Sequence, residues 1–356
     1  MGMFFLSVSI CAICGFDNAS WGKNQNAVAR YEAKIIFANQ TNSISMAFSI
    51  TILGSSAAIP TSQRNASSIL INLEHTYFLM DCGEGTQMQL RRSKIKLNRI
   101  KRVFISHLHG DHFFGLVGLI STLHLLGRND ALHVHAPAGL QQIIEMQLTA
   151  SQTQLSYPLH FHLIKADAPE MVFESKDHYV RSFPLDHRIE TNGFVFGEKQ
   201  KTRKVKKTFL FYDMEISVED ILNIKAGADF VSPTGKIYKN ADITEDPEPP
   251  ASFAYCSDTR YFEPIVEQIK NTTVLYHEAT FMEDMRQVAD EKYHSTAHGA
   301  ALIAAKAQVG KLILGHFSAR YRELDELLAE ARAVFPQSYL AIDGESTDVD
   351  ANEKTR

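Results

Sequence analysis

The chain alternates short apolar runs with longer segments whose apolar positions recur every three or four residues. The short runs, rich in β-branched and aromatic residues, predict strands at 48–53, 69–73, 76–80, 102–106, 131–135, 179–183, 193–196, 208–212, 252–256, 273–276 and 311–315. The periodic segments predict helices at 84–92, 115–126, 138–149, 217–224, 261–269, 298–308 and 321–334. Strands that alternate with helices predict an α/β fold, in which loops at the strand ends carry the functional side chains.

Length and composition indicate a globular protein with a sizeable core. The 356 residues are 45% hydrophobic, which suits one large domain or two smaller ones. Four cysteines are too few for a disulfide framework. Cys82 and Cys256 lie in apolar runs and are predicted to be small buried hydrophobes, whereas Cys11 and Cys14 form a lone Cys-x-x-Cys that is weak evidence for a metal or redox site.

The charge of the chain excludes a uniformly basic coat for nucleic acid, because its net value is −5. Any contact with RNA must therefore come from local patches. One patch places six cations in nine residues: Lys199, Lys201, Arg203, Lys204, Lys206 and Lys207. Flexible cations of this kind contact phosphates without reading sequence, although a solvated hairpin tip is the alternative interpretation.

The segment that follows the predicted strand 102–106 contains His107, His109, Asp111 and His112. His107 and His109 are two residues apart on an extended stretch, so their side chains lie on one side and can converge on one ion. The next turn directs Asp111 and His112 toward a second ion. Structural zinc sites favour four Cys and His ligands, whereas nitrogen and oxygen ligands leave room for a bridging water. The segment therefore predicts half of a two-metal site.

Three further candidate ligands each follow a predicted buried strand. His187 comes after the run 179–183, Asp258 after the run 252–256, and His316 after the run 311–315. Functional side chains of layered α/β proteins gather at such strand ends. A single histidine after a strand is more often a packed or capping residue, but together with the first motif the three complete a two-ion ligand set.

Several motifs together resemble the metallo-β-lactamase-fold hydrolases and, within them, the ribonuclease Z family. They lie at 52–61, 64–68, 81–87 (Asp-Cys-Gly-Glu-Gly-Thr-Gln), 107–112, 257–259 (Ser-Asp-Thr), 277–280 (His-Glu-Ala-Thr), 294–296 (His-Ser-Thr) and 315–318 (Gly-His-Phe-Ser). The resemblance covers roughly residues 48–335. It implies a four-layer αββα sandwich, with the activity of an endoribonuclease that removes the 3′ trailer of precursor tRNA.

The resemblance also implies roles for the ligands. His107, His109 and His187 would hold one zinc ion, Asp111, His112 and His316 the other, and Asp258 would bridge them. Manganese or cobalt would suit the same ligands. The two cations would make a water acidic enough to attack the phosphorus as hydroxide, with Asp111 as the acceptor of its proton. His294 would protonate the departing 3′ oxygen, and Glu278 would orient His294.

Other residues are assigned supporting or substrate-contact roles. Ser318 and Arg320 follow His316 and would hold the phosphate, although Arg320 suits a surface charge equally well. Arg64 and Asn65 would contact the end of the RNA or serve a turn. Asp81 is expected to support the ligand loops without touching metal. His133 and His135 alternate on a strand like a ligand pair, but with seven ligands already assigned we interpret them as structural.

The chain divides into three predicted parts. Residues 1–45 form an extension with no counterpart in the family pattern, which suggests a translation start at Met46 and a cytoplasmic enzyme. The apolar run 3–14 is too short to span a bilayer and lacks the preceding cations of a signal peptide, so no membrane is expected. Residues 46–340 form the nuclease domain, and its insertion 197–250 is the candidate arm that grips tRNA. Residues 341–356 form a polar tail, and the resemblance implies a homodimer.

Two other functions compete with the tRNA nuclease. A hydrolase of small phosphodiesters or lactones would use the same two ions, but it would need neither the basic insertion nor the His-Ser-Thr acid. A noncatalytic RNA-binding relative would be expected to have lost a ligand, and none is missing. The nuclease is therefore the favoured interpretation.

Overall fold

The structure is a computed structural model that describes residues 48–74, 76–210 and 216–350. The chain separates into two compact units. Their described parts lie within 48–201 and 247–350, which we call the core unit, and within 202–246, which we call the insertion unit. The predicted extension 1–45 lies outside the described residues, as do Cys11 and Cys14. Within the described ranges, no helix is long and apolar enough to cross a membrane.

The first sheet of the core unit has seven strands in the order β18-β1-β2-β3-β4-β5-β6. Its strands are β1 Ser49–Gly54, β2 Ser68–Leu73, β3 Thr76–Met80, β4 Ile100–Phe104, β5 Leu132–Ala136, β6 Leu159–Leu163 and β18 Ser346–Asp348. The strands from β3 to β6 run parallel, so their carboxyl ends meet at one edge of the sheet.

The second sheet also has seven strands, in the order β17-β16-β15-β14-β9-β8-β7. Its strands are β7 Glu170–Glu174, β8 His178–Pro184, β9 Asn192–Glu198, β14 Ser252–Cys256, β15 Val274–Glu278, β16 Lys311–Gly315 and β17 Ser338–Leu340. Strands β14 to β17 are parallel, and β9 is antiparallel to both β8 and β14. Strands β8, β14 and β16 therefore point the same way.

Helices cover the outer faces of both sheets. Helices α1 Thr86–Arg92, α2 Gly110–Phe113, α3 Leu116–Leu125 and α4 Leu140–Ala150 pack on the first sheet. Helix α9 Ala297–Ala307 and α10 Asp325–Val334 pack on the second, and α8 Arg286–Lys292 precedes them. Between the sheets, Phe78, Phe104, Phe194 and Phe196 make edge-to-face and tilted contacts. The predicted αββα sandwich is confirmed.

The insertion unit has a small core of its own. It contains β10 Lys204–Val205, β11 Phe230–Val231, β12 Ile237–Tyr238, β13 Thr244–Glu245, α5 Lys207–Leu210, α6 Val218–Lys225 and α7 Asn240–Ile243. Phe209, Ile224, Phe230 and Ile243 form its buried cluster. Ser217 caps α6 by accepting a hydrogen bond from the Asp220 amide, and Asp220 accepts one from the Ser217 amide in return.

Some predicted elements are wrong. The run 208–212 was predicted as a strand, but Lys207–Leu210 is helical, and residues 211 and 212 lie outside the described chain. Within this helix, Phe209 packs edge-to-face on Phe230. The predicted helix 261–269 contains only a short 3-10 helix, Glu263–Ile265. The predicted polar tail is also different, since β18 pairs with β1 and Val349 is buried. The chain is therefore part of the core unit as far as residue 349.

Candidate metal centre

The structure brings the seven predicted ligands together at one edge of the core unit. His107, His109, Asp111 and His112 follow β4, while His187 follows β8, Asp258 follows β14 and His316 follows β16. These strands end at the same edge, so their loops deliver the side chains to one place. Two ligand groups share this edge. The first group consists of His107, His109, His187 and Asp258, and the second consists of Asp111, His112 and His316. In each group the ligand atoms lie within 4.8 Å of one another.

The first group converges on one oxygen of Asp258. The Oδ2 atom of Asp258 lies 3.6 Å from His107 Nε2 and 3.8 Å from His187 Nε2. His109 Nδ1 lies between the two imidazoles, 3.0 Å from His107 Nε2 and 3.2 Å from His187 Nε2. Tyr293 fixes the other side of His187, because its carbonyl is 2.9 Å from His187 Nδ1. The geometry leaves three imidazole nitrogens and a carboxylate oxygen facing one point.

The second group converges on the other oxygen of the same carboxylate. The Oδ1 atom of Asp258 lies 3.2 Å from His316 Nε2 and 3.3 Å from His112 Nε2. Asp111 Oδ2 is 3.4 Å from each of these nitrogens and accepts a hydrogen bond from the Ala58 amide at 2.8 Å. Asp258 therefore stands between the two groups, with one oxygen turned to each.

Burial and protonation of the first group fit a divalent cation. Burial lowers the pKa of His107, and it lowers the pKa values of His109 and His187 to about 4. All three imidazoles are therefore neutral at pH 7, the form in which histidine binds a metal ion. Neutral nitrogen donors next to a carboxylate form a donor set for zinc or a similar divalent ion.

The second group carries negative charge that a cation would neutralise. Burial raises the pKa of Asp258, but His316 and His112 outweigh it and hold that pKa well below its usual range. The pKa of Asp111 is likewise lowered, since His112 and His316 outweigh its burial. His112 Nε2 is buried and makes no well-directed hydrogen bond among the described residues, although oxygens of Asp258 and Asp111 lie 3.3 and 3.4 Å away. Burial lowers the pKa of His112, but Asp258, Asp81 and Asp111 outweigh it and raise that pKa, and a divalent cation would take the place of the proton.

Asp81 holds the ligand loop from behind, as predicted for a supporting residue. Its carboxylate lies 2.7 Å from His112 Nδ1 and accepts hydrogen bonds from the Ser106 amide and hydroxyl. It also accepts a hydrogen bond of 2.7 Å from the fully buried hydroxyl of Tyr255. Gly83 allows the loop to approach, because a Cβ there would lie 2.3 Å from the Asp111 carbonyl oxygen.

His294 and Glu278 form a pair beside the second group. His294 Nδ1 lies 2.8 Å from Glu278 Oε1, and His294 can share a ligand point with Asp258 and His316. Glu278 is fully buried and also accepts hydrogen bonds from the Thr259 amide and the Thr280 hydroxyl. The rigid carboxylate therefore fixes the orientation of the His294 ring.

The pair is charged at neutral pH. Burial opposes the charged form of His294, but the charge and hydrogen bond of Glu278 outweigh it and raise the pKa of His294 to about 9. The pKa of Glu278 is lowered, because His294 outweighs the effect of burial on the carboxyl group. A protonated imidazole with an anchored Nδ1 can donate a proton from Nε2.

Arg64 and Asn65 serve the fold in this structure. Arg64 is buried and donates to the Tyr321 carbonyl at 2.7 Å. Asn65 donates to Asp343 through both its amide and its side chain, at 2.7 and 2.8 Å. These contacts favour the turn-supporting alternative over contact with the RNA end. Arg320 is exposed, lies over the Phe281 ring at 4.9 Å and donates to Ser318 Oγ at 3.2 Å.

The six cations at 199–207 are less free than the sequence suggested. Lys199 pairs with Glu174 at 2.6 Å, Lys201 with Glu198 at 3.0 Å, and Arg203 with Asp246. Lys206 donates to the Asp242 carbonyl. Lys204 and Lys207 are exposed and have no ion pair within the described ranges. Of the six, these two are therefore both exposed and without an ion pair in the part of the chain that the structure describes.

His133 and His135 lie outside both ligand groups. His135 is buried, stacks on Phe104 at 4.6 Å and lies 3.0 Å from Arg102 Nη1. His133 Nδ1 lies 2.9 Å from His162 Nε2. Cys82 and Cys256 are buried free thiols, as predicted.

Sequence reasoning missed two supporting residues. Tyr255 was hidden in an apolar strand, although a hydroxyl in such a run needs a partner, and that need was the available signal. Thr280 belongs to the noted His-Glu-Ala-Thr motif but was given no role. Its hydroxyl donates to Glu278 Oε2 at 2.6 Å and lies 3.0 Å from His316 Nδ1, so it links the acid pair to the second group.

Comparison with curated proteins gives close relatives over most of the chain. The chain is 45% identical to a ribonuclease Z of Bacteroides thetaiotaomicron, covering 83% of this chain and 93% of the relative. It is 44% identical to a ribonuclease Z of Bacteroides fragilis, covering 83% and 96%. A family model described as anti-Pycsar protein Apyc1 matches residues 48–226.

Solved structures agree with these relatives. The short form of human tRNase Z is 26% identical and matches with a TM-score of 0.63 over 85% of this chain and 99% of that protein. The metallo-β-lactamase-fold protein YhfI of Bacillus subtilis, at 16% identity, shares the fold with a TM-score of 0.60 over 85% of this chain and 99% of its own. With these similarities and the cluster of histidines and aspartates at the strand ends, this chain belongs to the ribonuclease Z family.

Proposed function

We propose that this chain is an endoribonuclease that removes the 3′ trailer of precursor tRNA and leaves a 3′-hydroxyl on the tRNA. The observation that carries the proposal is the seven-ligand cluster beside the His294–Glu278 pair, in a chain 45% identical to a ribonuclease Z. A hydrolase of small phosphodiesters or lactones would not need that acid pair, so the alternative is not favoured.

We propose that two zinc ions are the cofactors, and that manganese or cobalt can replace them. His107, His109 and His187 would hold one ion and Asp111, His112 and His316 the other, and Asp258 would share its two oxygens between them. When bound, two such cations polarise the phosphodiester and make a water molecule acidic at neutral pH. The buried His112 Nε2, which faces oxygens of both Asp111 and Asp258, and the two oxygens of Asp258 support this assignment.

Asp111 would accept the proton of the attacking water. Its Oδ2 atom is held by the Ala58 amide and faces His112 and His316. The depressed pKa of Asp111 keeps the carboxylate ionised before the attack. As the new bond from water oxygen to phosphorus forms, the bond from phosphorus to the 3′ oxygen breaks, and negative charge develops on that oxygen.

His294 would supply the proton that the 3′ oxygen needs. With a pKa of about 9 it is protonated at pH 7, and Glu278 anchors Nδ1 so that Nε2 is left for the substrate. Ser318 and Arg320 would contact the phosphate, since Arg320 is exposed beside Phe281 and Phe281 lies 6.1 Å from the His294 ring. The products are a tRNA with a 3′-hydroxyl and a trailer with a 5′-phosphate.

The test is cleavage of a 3′-extended precursor tRNA by the zinc-loaded protein. We expect one cut after the discriminator base, abolished by Asp111→Ala and slowed about 10²- to 10⁴-fold in kcat by His294→Ala. His298→Ala, a histidine on α9 outside every ligand group of the described chain, is the control and should cut at the wild-type rate. An intact precursor, together with hydrolysis of a small phosphodiester or lactone, would refute the tRNA assignment.

The proposal extends to tRNA binding, assembly and location. Lys204 and Lys207 of the insertion unit would contact the tRNA body, in keeping with the candidate arm at 197–250. We propose a homodimer that covers the apolar residues Leu125 and Met146, which are 80% and 71% exposed on α3 and α4. Light scattering should then report a dimer, and Leu125→Asp with Met146→Asp should report a monomer. We place the enzyme in the cytoplasm with its substrate.

A further inference from the structure

A second concentration of positive charge lies in the core unit, between α1 and β4. Residues 85–110 contain seven cations and no Asp or Glu, in a chain with 41 acidic and 36 basic residues. Five of these cations are exposed, and we call them the 91–99 basic surface: Arg91, Arg92, Lys94, Lys96 and Arg99. Within the described part of the chain, none of the five has an ion pair. Their charge is therefore fully available to a polyanion.

The helix dipole explains only part of this surface. Arg91 and Arg92 lie in the last turn of α1, where cations interact favourably with the negative end of the helix. Helix α1 ends at its C-cap Ser93, however, and Lys94, Lys96 and Arg99 come after it. The dipole of the helix therefore does not account for these three cations.

The backbone under the surface is held firmly. Leu90, Leu97 and Ile100 are buried, and Ile95 packs against the same cluster. The amide of Ile95 donates to the Leu90 carbonyl at 2.9 Å. Cations therefore alternate with apolar anchors, so the backbone that carries them is ordered before a ligand arrives, and binding would cost mainly side-chain entropy.

The surface lies at the amino-terminal end of β4, and His107 follows the carboxyl-terminal end of the same strand. At most about 29 Å of extended chain separates Arg99 from His107. One strand of the first sheet therefore joins the 91–99 basic surface to the metal centre.

We propose that the 91–99 basic surface binds the sugar-phosphate backbone of the precursor RNA, as a contact in the core unit that is additional to the insertion unit. The inference rests on the proposed function and adds to it a residue set that the sequence analysis did not assign. Lysine and arginine contact phosphate without regard to base, which suits a substrate whose sequence varies.

The test compares two matched pairs of exposed lysines. Lys94→Gln with Lys96→Gln removes two charges from the surface, and Lys165→Gln with Lys176→Gln removes two from elsewhere in the core unit. Both are made in an Asp111→Asn background, so that a labelled precursor tRNA is bound but not cut. The Kd is measured by fluorescence anisotropy at several KCl concentrations between 50 and 200 mM.

We expect the Lys94/Lys96 variant to bind about tenfold more weakly at 50 mM KCl, and its plot of log Kd against log salt to lose about two units of slope. The Lys165/Lys176 variant should match the parent in both respects. Both should unfold at the parent temperature, because all four lysines are exposed. Equal Kd and equal slope for the two variants would overturn the inference. Failure of wild type to cut the precursor would instead overturn the proposed function, since binding is measured separately.

Discussion

The metal centre and the 91–99 basic surface hold charge in opposite ways. In the metal centre, Asp81, Asp111 and Asp258 each lie within 3.4 Å of an imidazole nitrogen and are almost excluded from solvent. On the basic surface, exposed cations have no carboxylate partner in the described chain. Buried charges depend on specific partners, so each substitution in the metal centre should have a large effect. Exposed charges act together through an electrostatic attraction that salt screens, so each substitution on the basic surface should have a small effect that depends on ionic strength.

The largest effect in this comparison should come from the residue that both ligand groups share. Asp258→Asn keeps the shape of the side chain but removes the charge that faces four imidazoles. We expect the metal content to fall below one ion per chain and kcat/KM for precursor cleavage to fall more than 10³-fold. Elemental analysis and cleavage kinetics measure both. Asp130→Asn, an exposed carboxylate paired with Lys101, is the control and should change neither.

A smaller effect is expected one layer behind the ligands. Tyr255→Phe removes the hydroxyl that donates to Asp81 and leaves the ring in place. Loss of such a supporting contact typically weakens metal binding about 10- to 100-fold. Competition with a chelator measures the affinity. The control is Tyr276→Phe, which removes the hydroxyl of the stacked neighbouring ring, a group that does not bond Asp81. Equal affinities in the two variants would show that Asp81 needs no help from Tyr255.

His135 is intermediate between the metal centre and the basic surface, because it is a buried imidazole that lies beside two basic side chains, Arg102 and His162. Burial, His162 and Arg102 lower the pKa of His135 to about 3, against about 6.5 in the unfolded chain. Between these values the unfolded state binds more protons, so the free energy of unfolding falls as the pH falls from 6.5 toward 3. The loss is about 1.4 kcal/mol per pH unit for one proton.

His135→Gln should therefore flatten the dependence of stability on pH between 6.5 and 5, as measured by urea unfolding. The control is His160→Gln, because His160 is exposed on the adjacent strand β6. If the His135 variant kept the parent slope, the buried imidazole would not be the group that titrates.

The smallest effect should separate the two kinds of lysine at 199–207. Lys204 and Lys207 are exposed without ion pairs in the described chain, whereas Lys199 and Lys201 pair with Glu174 and Glu198. We expect Lys204→Gln with Lys207→Gln to raise the KM for precursor tRNA about threefold at low salt, and Lys199→Gln with Lys201→Gln to raise it less than twofold. The reverse order would mean that the ion pairs open when RNA binds.

The sequence predicted which side chains meet at the strand ends, because the segments that carry them follow buried apolar runs. Asp258 and His316 lie far apart in the chain, yet strands that run parallel in one sheet bring their ends together. The ion pairs of Lys199 and Lys201 were not predictable, since a run of cations says nothing about which carboxylates fold against it. Strand β6 was missed because its residues alternate apolar side chains with histidines at an exposed edge.

The 91–99 basic surface escaped notice for a related reason. Its cations are interleaved with Leu90, Ile95, Leu97 and Ile100, so the segment resembles the end of an ordinary amphipathic helix. Its exposure and its lack of carboxylate partners in the described chain are tertiary facts. Strand β18 was missed because a short polar segment forms a strand only when a paired edge, here β1, is available.

The position of β18 has a consequence for synthesis on the ribosome. Strand β1 begins the described fold but pairs with Ser346–Asp348, and Asp343 holds Ser55 and Asn65 in the loop after β1. That loop in turn supplies the Ala58 amide to Asp111. Because these contacts join distant parts of the chain, the first sheet stays incomplete until Ser346–Asp348 has been synthesised. A nascent chain would therefore complete the loop that holds Asp111 only after this strand has emerged from the ribosome.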